Sequence, residues 1–267
     1  MGSTLRLYWA YTRASIRSQM AYRASFIMLT LGNFVATGIE FVALWALFGR
    51  FGQIAGWTLP EVALFYGLGN VAFAIAEGAG RGFDTFAALV KRGDFDRILL
   101  RPRSTVLQIG ASEFQIMRIG RLSQGLAALI WGAAALNLVW APWRIALLLW
   151  TLLCGAALFT GLFVLQATSA FWTTESLEVW NTLTYGGVQT AQFPLTLYED
   201  WFRKFFTYAV PLAAITYFPA VAILAKDDPL GTSRLFQAIV PVAGLAFLAG
   251  ATLFWQVGVR HYHSTGS

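Results

Sequence analysis

Long apolar runs alternate with short charged segments along this chain, and the lengths of the runs predict membrane spans. A helix needs roughly 20 mostly apolar residues to cross about 30 Å of hydrocarbon. An even number of spans would place both termini on one side of the membrane. We expect six spans, of which the fifth is the most polar: residues 26–48, 59–79, 122–141, 145–168, 177–197 and 236–258.

Three segments fit no ordinary span. In residues 1–25, Leu5, Tyr8, Trp9, Thr12, Ile16 and Met20 share one helical face, which predicts an interfacial helix or, alternatively, a helix packed on other protein. Residues 80–105 form a charged loop. Residues 193–235 contain four prolines around an apolar run, which predicts re-entrant or interfacial helices on the outer side. The chain is therefore expected to be one all-α, polytopic membrane domain over residues 1–267.

Composition and charge support membrane residence and set an orientation. Hydrophobic residues make up 57% of the chain and charged residues 12%, against about 45–50% and 25% in soluble domains. With the N-terminus inside, 13 of the 19 Lys and Arg residues lie on the cytoplasmic side, as the positive-inside rule favours. Most aromatic residues lie in apolar runs, so nucleic-acid binding is not expected.

The sequence contains few of the residue motifs that are typical of catalytic sites. The three lysines follow Val90, Arg203 and Ala225, so the sequence has no Gly-Lys-Ser/Thr phosphate loop. The two histidines lie near the C-terminus and Cys154 is the only cysteine, so we predict no metal site and no cofactor in this chain. Two other classes stay open: a membrane-embedded enzyme, which would use Glu40, Glu77 and Glu178, and a channel or carrier working alone.

Polar residues recur at helical spacing inside the predicted spans. A carboxylate at bilayer depth costs about 2.5–3.5 kcal/mol on insertion scales, so such side chains are expected to face protein or water. They line a translocation pathway in one interpretation and only hold helices together in the other. The pathway set is Thr30, Asn33, Thr37, Glu40, Asn70, Glu178, Asn181, Tyr185, Gln189 and Gln192.

Residues 93–103 form a short charged amphipathic segment after the second predicted span. Asp94 is expected to cap a short helix and Pro102 to end it. Positive-inside bias explains the arginines, but not Phe95 and Leu99, which we expect to be exposed and to need a partner. The segment is therefore predicted to be the docking site of a cytosolic partner protein.

Residues 92–102 resemble the loop after the second span of ABC-2-type permeases, in particular a bacterial subfamily formerly described as uncharacterised. Residues 193–198, 210–212, 217–220 and 262–267 resemble the same family in the same order. The resemblance implies a six-span membrane subunit of a bacterial ABC exporter, with both termini in the cytoplasm and the protein in the plasma membrane. It implies no catalytic residue here, because a cytosolic ABC ATPase dimer would bind ATP and Mg²⁺.

The resemblance also implies roles for particular residues. The loop after span two would be the coupling helix, carried by Asp94, Phe95, Asp96, Arg97, Leu99 and Arg101. Changing Phe95 or Asp96 should then uncouple ATP hydrolysis from transport without unfolding the protein. An outer gate would lie at Pro194, Pro211 and Pro219. Further implied partners are a second permease chain, alike or different, and membrane lipids; the cargo would be lipid-like, peptide or drug-like.

Overall fold

The chain folds almost entirely into helices. The computed structural model describes residues 2–173 and 177–263, so residues 264–267 of the resemblance lie outside it. The helices are α1 Gly2–Met20, α2 Arg23–Phe51, α3 Leu59–Asp84, α4 Phe86–Lys91, α5 Phe95–Leu99, α6 Thr105–Ser112, α7 Ile119–Ala135, α8 Pro142–Ser169, α9 Leu177–Ala191, α10 Asp200–Lys204, α11 Leu212–Ile215, α12 Tyr217–Leu224, α13 Arg234–Ile239 and α14 Val242–His261. Short 3-10 turns cover Ile116–Arg118 and Leu195–Leu197, and a π-helical turn covers Phe205–Ala209.

Helix α3 lies at the centre of the bundle. It packs against α7 and α8, and α14 packs against α8. Glu61 lies in the first turn of α3, and its carboxylate accepts a hydrogen bond from the backbone N–H of Thr58 at 2.8 Å, as in half of a capping box. Nearly every residue from Val62 to Gly78 is buried, so α3 is covered by protein all round.

Small residues let α7 approach α3 closely. A Cβ added at Gly132 would lie 2.8 Å from the carbonyl oxygen of Pro60, and one at Gly67 would lie 2.6 Å from the Cβ of Leu129. Neither position has room for a larger side chain. This is the close backbone approach that glycine permits between membrane helices.

The all-α membrane fold is confirmed, whereas the count of six spans stays a prediction. Four helices are long and apolar enough to span a membrane: α2, the continuous run Leu59–Lys91, α8 and α14. Two further helical segments, Asp200–Ala209 and Leu212–Leu224, meet at a bend of 74° and would make a fifth span if they cross the membrane as one. The predicted spans 122–141 and 177–197 are helices of only 17 and 15 residues. At 1.5 Å per residue a 17-residue helix is about 25 Å long, shorter than the hydrocarbon core.

The last predicted span begins later than expected. Residues 236–239 belong to the separate short helix α13, and α14 starts after Pro241. The structure also contains a small hairpin that the sequence pattern did not predict: Gln53–Ile54 pairs with Trp57–Thr58 through Ala55 and Gly56. Both turn residues have positive φ angles, 48° and 79°, as two-residue hairpins of this kind require.

Helix α1 packs through a polar face on another part of the same chain, the segment between α6 and α7. Ser15 donates to the carbonyl oxygen of Phe114 at 3.0 Å, and Gln19 accepts from the backbone N–H of Ile116 at 3.1 Å. Thr12 is buried, while Met20 of the predicted apolar face is 44% exposed. The side chains of Leu5, Tyr8 and Trp9 lie outside the described residues. The predicted helix is present, and its contacts follow the alternative interpretation of a helix packed on protein.

Candidate functional site

The charged segment after α3 is a short helix held between two turns. Gly93 has a φ of +71°, a left-handed conformation that glycine adopts without strain, and ends α4. Helix α5 follows as Phe95–Leu99, in agreement with the predicted helix. Asp94 precedes it but makes no capping hydrogen bond; its carboxylate instead accepts from Arg92 Nε at 3.0 Å. The predicted role of Asp94 as a cap is therefore wrong.

Phe95 is fully buried, which corrects the expectation that it is exposed and needs a partner. Its ring lies 5.1 Å from Phe86, 5.4 Å from Phe171 and 5.0 Å from Tyr262, measured between ring centroids. Trp255 of α14 packs against the same group at 6.4 Å. The amphipathic pattern of α5 thus faces its own bundle, and Phe95 anchors the segment to α4 and α14.

The opposite side of α5 is open and positively charged. Leu100 is 86% exposed and Leu99 40% exposed, and the Arg97 side chain is 83% exposed, 4.0 Å from Asp94. Arg101 Nη1 donates to the Tyr11 hydroxyl at 3.1 Å, which connects the segment to α1. Asp96 is half-buried. Leu100 was missed among the predicted coupling residues, although an apolar residue directly before Arg101 was a visible signal.

The predicted pathway residues of α2 contact those at the end of α9. Gln189 Nε2 donates to Glu40 Oε1 at 3.1 Å, and Gln192 Nε2 lies 3.5 Å from Glu40 Oε2. One turn earlier on α2, the carbonyl oxygen of Thr37 accepts from the Tyr66 hydroxyl at 2.7 Å. The structure therefore brings three predicted pathway residues into one hydrogen-bonded group: Glu40 on α2, Gln189 on α9, and Gln192 directly after α9.

A second group lies toward the end of α3 that leads to α5. Glu77 is 2% exposed and accepts from the Tyr185 hydroxyl at 3.0 Å. Arg118 Nη2 lies 3.0 Å from Glu77 Oε1, and Arg118 Nη1 donates to Asn33 Oδ1 at 3.1 Å. Arg121 Nη1 lies 3.8 Å from Glu77 Oε2. We call Glu77, Arg118 and Arg121 the buried charge cluster.

Sequence reasoning missed Arg118 and Arg121 as site residues. It assigned them to a cytoplasmic loop, because the positive-inside rule counts arginines by their place between spans. Their side chains are 17% and 14% exposed. Glu77 lies on a different helix, so no spacing in the sequence gave a signal for these contacts.

Four predicted pathway residues are not drawn into either group. Asn70 is buried but donates to the carbonyl oxygen of Tyr66 in its own helix at 3.0 Å. Glu178 is exposed. Among residues 2–173 and 177–263, no side-chain hydrogen bond joins Thr30, Glu178 or Asn181 to another helix. The carboxylates of Glu40, Glu77 and Glu178 thus have separate environments and form no shared acid–base pair.

The three predicted gate prolines lie in a well-packed region. Pro194 and Pro219 are buried, and Pro211 directly precedes α11. The hairpin before α3 is connected to this region, because Trp57 Nε1 donates to Thr196 Oγ1 at 3.0 Å. After α12, Lys226 Nζ lies 2.9 Å from Glu61 Oε1 and 4.1 Å from the Trp57 ring centroid. These contacts fasten the bent helices to the start of α3.

A family model described as ABC-2 family transporter protein matches residues 34–266. The chain belongs to this family. The ABC-2 match covers most of the chain, including α3, α5, α9 and the bent helices, and it makes the protein a multi-pass membrane component of a transporter. No curated protein and no solved structure matches the chain.

Proposed function

We propose that this ABC-2 protein is the permease subunit of an ATP-driven exporter in the bacterial plasma membrane. A separate cytosolic ABC ATPase dimer would bind ATP and Mg²⁺ and dock on α5. The observation that carries the proposal is the two-sided character of α5. One side exposes Arg97 and Leu100 to a partner, and the other buries Phe95 in the bundle.

Force applied to α5 has a direct path into the membrane part. Phe95 contacts Phe86, and α4 continues the line of α3 with only Thr85 between them. On the other side, Trp255 donates from Nε1 to Thr105 Oγ1 at 2.9 Å, which joins α14 to α6. A displacement of α5 therefore moves α3 and α14 together, and α3 carries Tyr66 and Glu77 of the polar groups.

The polar groups between α2, α3, α7 and α9 are the proposed translocation pathway, and the bent helices are its outer gate. In α2 only Thr37, Leu44 and Phe48 are buried, so most of this helix faces lipid or a partner helix. We propose that a second permease chain, alike or different, completes the pathway there. The transported molecule would be lipid-like, peptide or drug-like.

The experiment uses single cysteines at two equally open sites. Cys154 is buried and free, so a Cys154→Ser background leaves no other cysteine in the chain. Leu100→Cys tests α5, and Val139→Cys, in the loop between α7 and α8, is the control; these positions are 86% and 79% exposed. In intact cells a membrane-impermeant maleimide should label position 139 and spare position 100.

The second step is a crosslink from the same cysteine at position 100. In permeabilised cells a short bifunctional reagent should join it to a protein that mass spectrometry shows to contain a Gly-Lys-Ser/Thr phosphate loop. Position 139 should give no such product. Labelling of position 100 from outside, or crosslinks of both positions to the same proteins, would refute the proposed docking site.

A further inference from the structure

A polar groove lies between α1 and the segment that joins α6 to α7. It is a cavity of about 450 Å³, and seven of its nine lining residues are polar, among them Tyr11, Ser18 and Glu113. Cavities that hold small ligands typically measure about 300–1,000 Å³, so this one is large enough for a ligand. We call this cavity the α1 groove.

Hydrogen bonds hold the two walls of the α1 groove together. The Ser15 hydroxyl accepts from the backbone N–H of Phe114 at 3.2 Å, and Gln19 Oε1 accepts from the backbone N–H of Ile116 at 3.1 Å. Gln19 Nε2 also donates to the Ser15 hydroxyl at 3.2 Å. The polar groups of Ser15 and Gln19 are therefore engaged in the wall, and tertiary contacts fix the shape of the groove.

Glu113 lines the groove and has no ion-pair partner among residues 2–173 and 177–263. Its Oε1 accepts from Gln115 Nε2 at 3.2 Å. Arg118 of the buried charge cluster reaches this group only through Gln115, since its Nε donates to Gln115 Oε1 at 3.0 Å. Arg101 Nη1 contacts the Tyr11 hydroxyl of the groove at 3.1 Å. A neutral side chain thus separates each of these two cations from the Glu113 carboxylate.

The neighbouring arginines of α1 lie on the side of the helix away from the groove. Arg13 and Arg17 are exposed, and each follows a groove residue, Tyr11 or Ser15, by two positions. Residues two positions apart on a helix do not share a face. The positive charge that these arginines give to α1 is therefore not directed at Glu113.

The α1 groove continues toward the exposed apolar surface of α2. A second cavity, of about 280 Å³, lies between α1 and the start of α2 and shares Ser18, Gln19 and Met117 with the groove. This cavity is polar on its α1 side and reaches Leu29 of α2, where the neighbouring Met28 is 73% exposed. Because α2 is long and apolar enough to span a membrane, this surface is available to lipid acyl chains. A lipid with its headgroup in the groove can therefore place its chains along α2.

A primary ammonium group matches the chemistry of Glu113 and its surroundings. It carries one positive charge and three N–H donors, which a carboxylate and hydroxyl groups accept, whereas a quaternary ammonium group has no N–H to donate. We propose that the α1 groove binds the headgroup of a phospholipid with a primary ammonium group. The ammonium lies on the Glu113 carboxylate and the acyl chains lie along the exposed side of α2. Arg101, which contacts Tyr11, is a cation available to the lipid phosphate.

The test uses the purified full-length chain in dodecyl maltoside and native mass spectrometry. Three probes separate the features of the ligand. Dioleoylphosphatidylethanolamine has all of them, dioleoylphosphatidylcholine has the same chains and phosphate but a quaternary ammonium group, and phosphoethanolamine has the headgroup without chains. We expect the ethanolamine lipid to bind about fivefold more tightly than either other probe, as for a partly exposed charge pair. Equal binding of the two lipids would indicate a general lipid contact only, and equally tight binding of phosphoethanolamine would indicate a soluble ligand; either result would overturn the proposal.

Variants then assign the preference to Glu113. Glu113→Gln should abolish the preference for the ethanolamine lipid, because the amide keeps the size of the side chain and removes its charge, and Glu113→Asp should retain part of it. Glu199→Gln is the matched control, since Glu199 is an exposed carboxylate directly before α10. An unchanged preference in Glu113→Gln, or an equal loss in the control, would overturn the assignment. The inference does not depend on transport, so its failure with a positive crosslink from position 100 would leave the proposed function standing.

Discussion

Removing the Phe95 ring should destabilise the whole protein, and not merely uncouple it from a partner. The ring is fully buried, with three aromatic neighbours at centroid distances of 5.0–5.4 Å. Truncating a buried Phe to Ala costs about 3–5 kcal/mol through lost contacts and the cavity left behind. In soluble domains of 150–250 residues, 1 kcal/mol shifts Tm by about 2–4 °C, so on that scale Phe95→Ala should lower Tm by roughly 6–20 °C.

The assay is thermal unfolding of the purified chain in detergent, followed by tryptophan fluorescence. Leu100→Ala is the matched control, because it also truncates an apolar residue of the coupling segment but at a site that is 86% exposed. It should change Tm by no more than about 2 °C, since surface substitutions typically cost within 0.5 kcal/mol. If the Phe95→Ala and Leu100→Ala variants melt together, Phe95 does not anchor α5, and the force path argued above is wrong.

Two further predictions concern packing and pH. Within α14, Gly244→Ala should cost about 1–3 kcal/mol because its Cβ would overlap the Cys154 carbonyl oxygen, whereas Gly250→Ala, with open space around it, should be neutral or stabilising by up to about 1 kcal/mol; equal Tm values would contradict this. Burial raises the pKa of Asp228, but hydrogen bonds from Thr232 and its neighbours outweigh burial and hold that pKa below its ordinary value. Because the folded pKa is the lower one, wild type should exceed Asp228→Asn in Tm most at neutral pH, and the difference should shrink as pH falls below about 3.9. A pH-independent difference would count against these hydrogen bonds.

Much of the site was visible in the sequence because its signals are local. Helical spacing placed Thr37 and Glu40 on one face of α2, and Gln189 and Gln192 on one face of the predicted span 177–197. The structure brings Glu40 to both glutamines. The charged segment after α3 is a short helix, as its pattern predicts. Which side of that helix is buried was predicted wrongly, because an amphipathic pattern does not say whether the apolar side meets the same chain or another.

Arg118 and Arg121 are site residues that the sequence did not reveal. Counting them as loop cations helped to orient the chain, but the count carries no information on depth. Their contact with Glu77 joins residues more than 40 positions apart, and no spacing rule connects positions on different helices. The pairing of both arginines with Glu77 became visible only once α3 and α7 had been brought together.

The sequence by itself determined the class of the protein, since apolar runs near the length of a bilayer and a low charge content are properties of single segments. It also predicted a short helix ended before Pro102 and a broken helical region within residues 193–235, and the structure has both. Tertiary structure decided which faces meet: the burial of Phe95, the contact of α2 with α9, and the pairing of Arg118 and Arg121 with Glu77. The physical reason is that helix formation depends on neighbours in the chain, whereas burial and charge balance depend on neighbours in space.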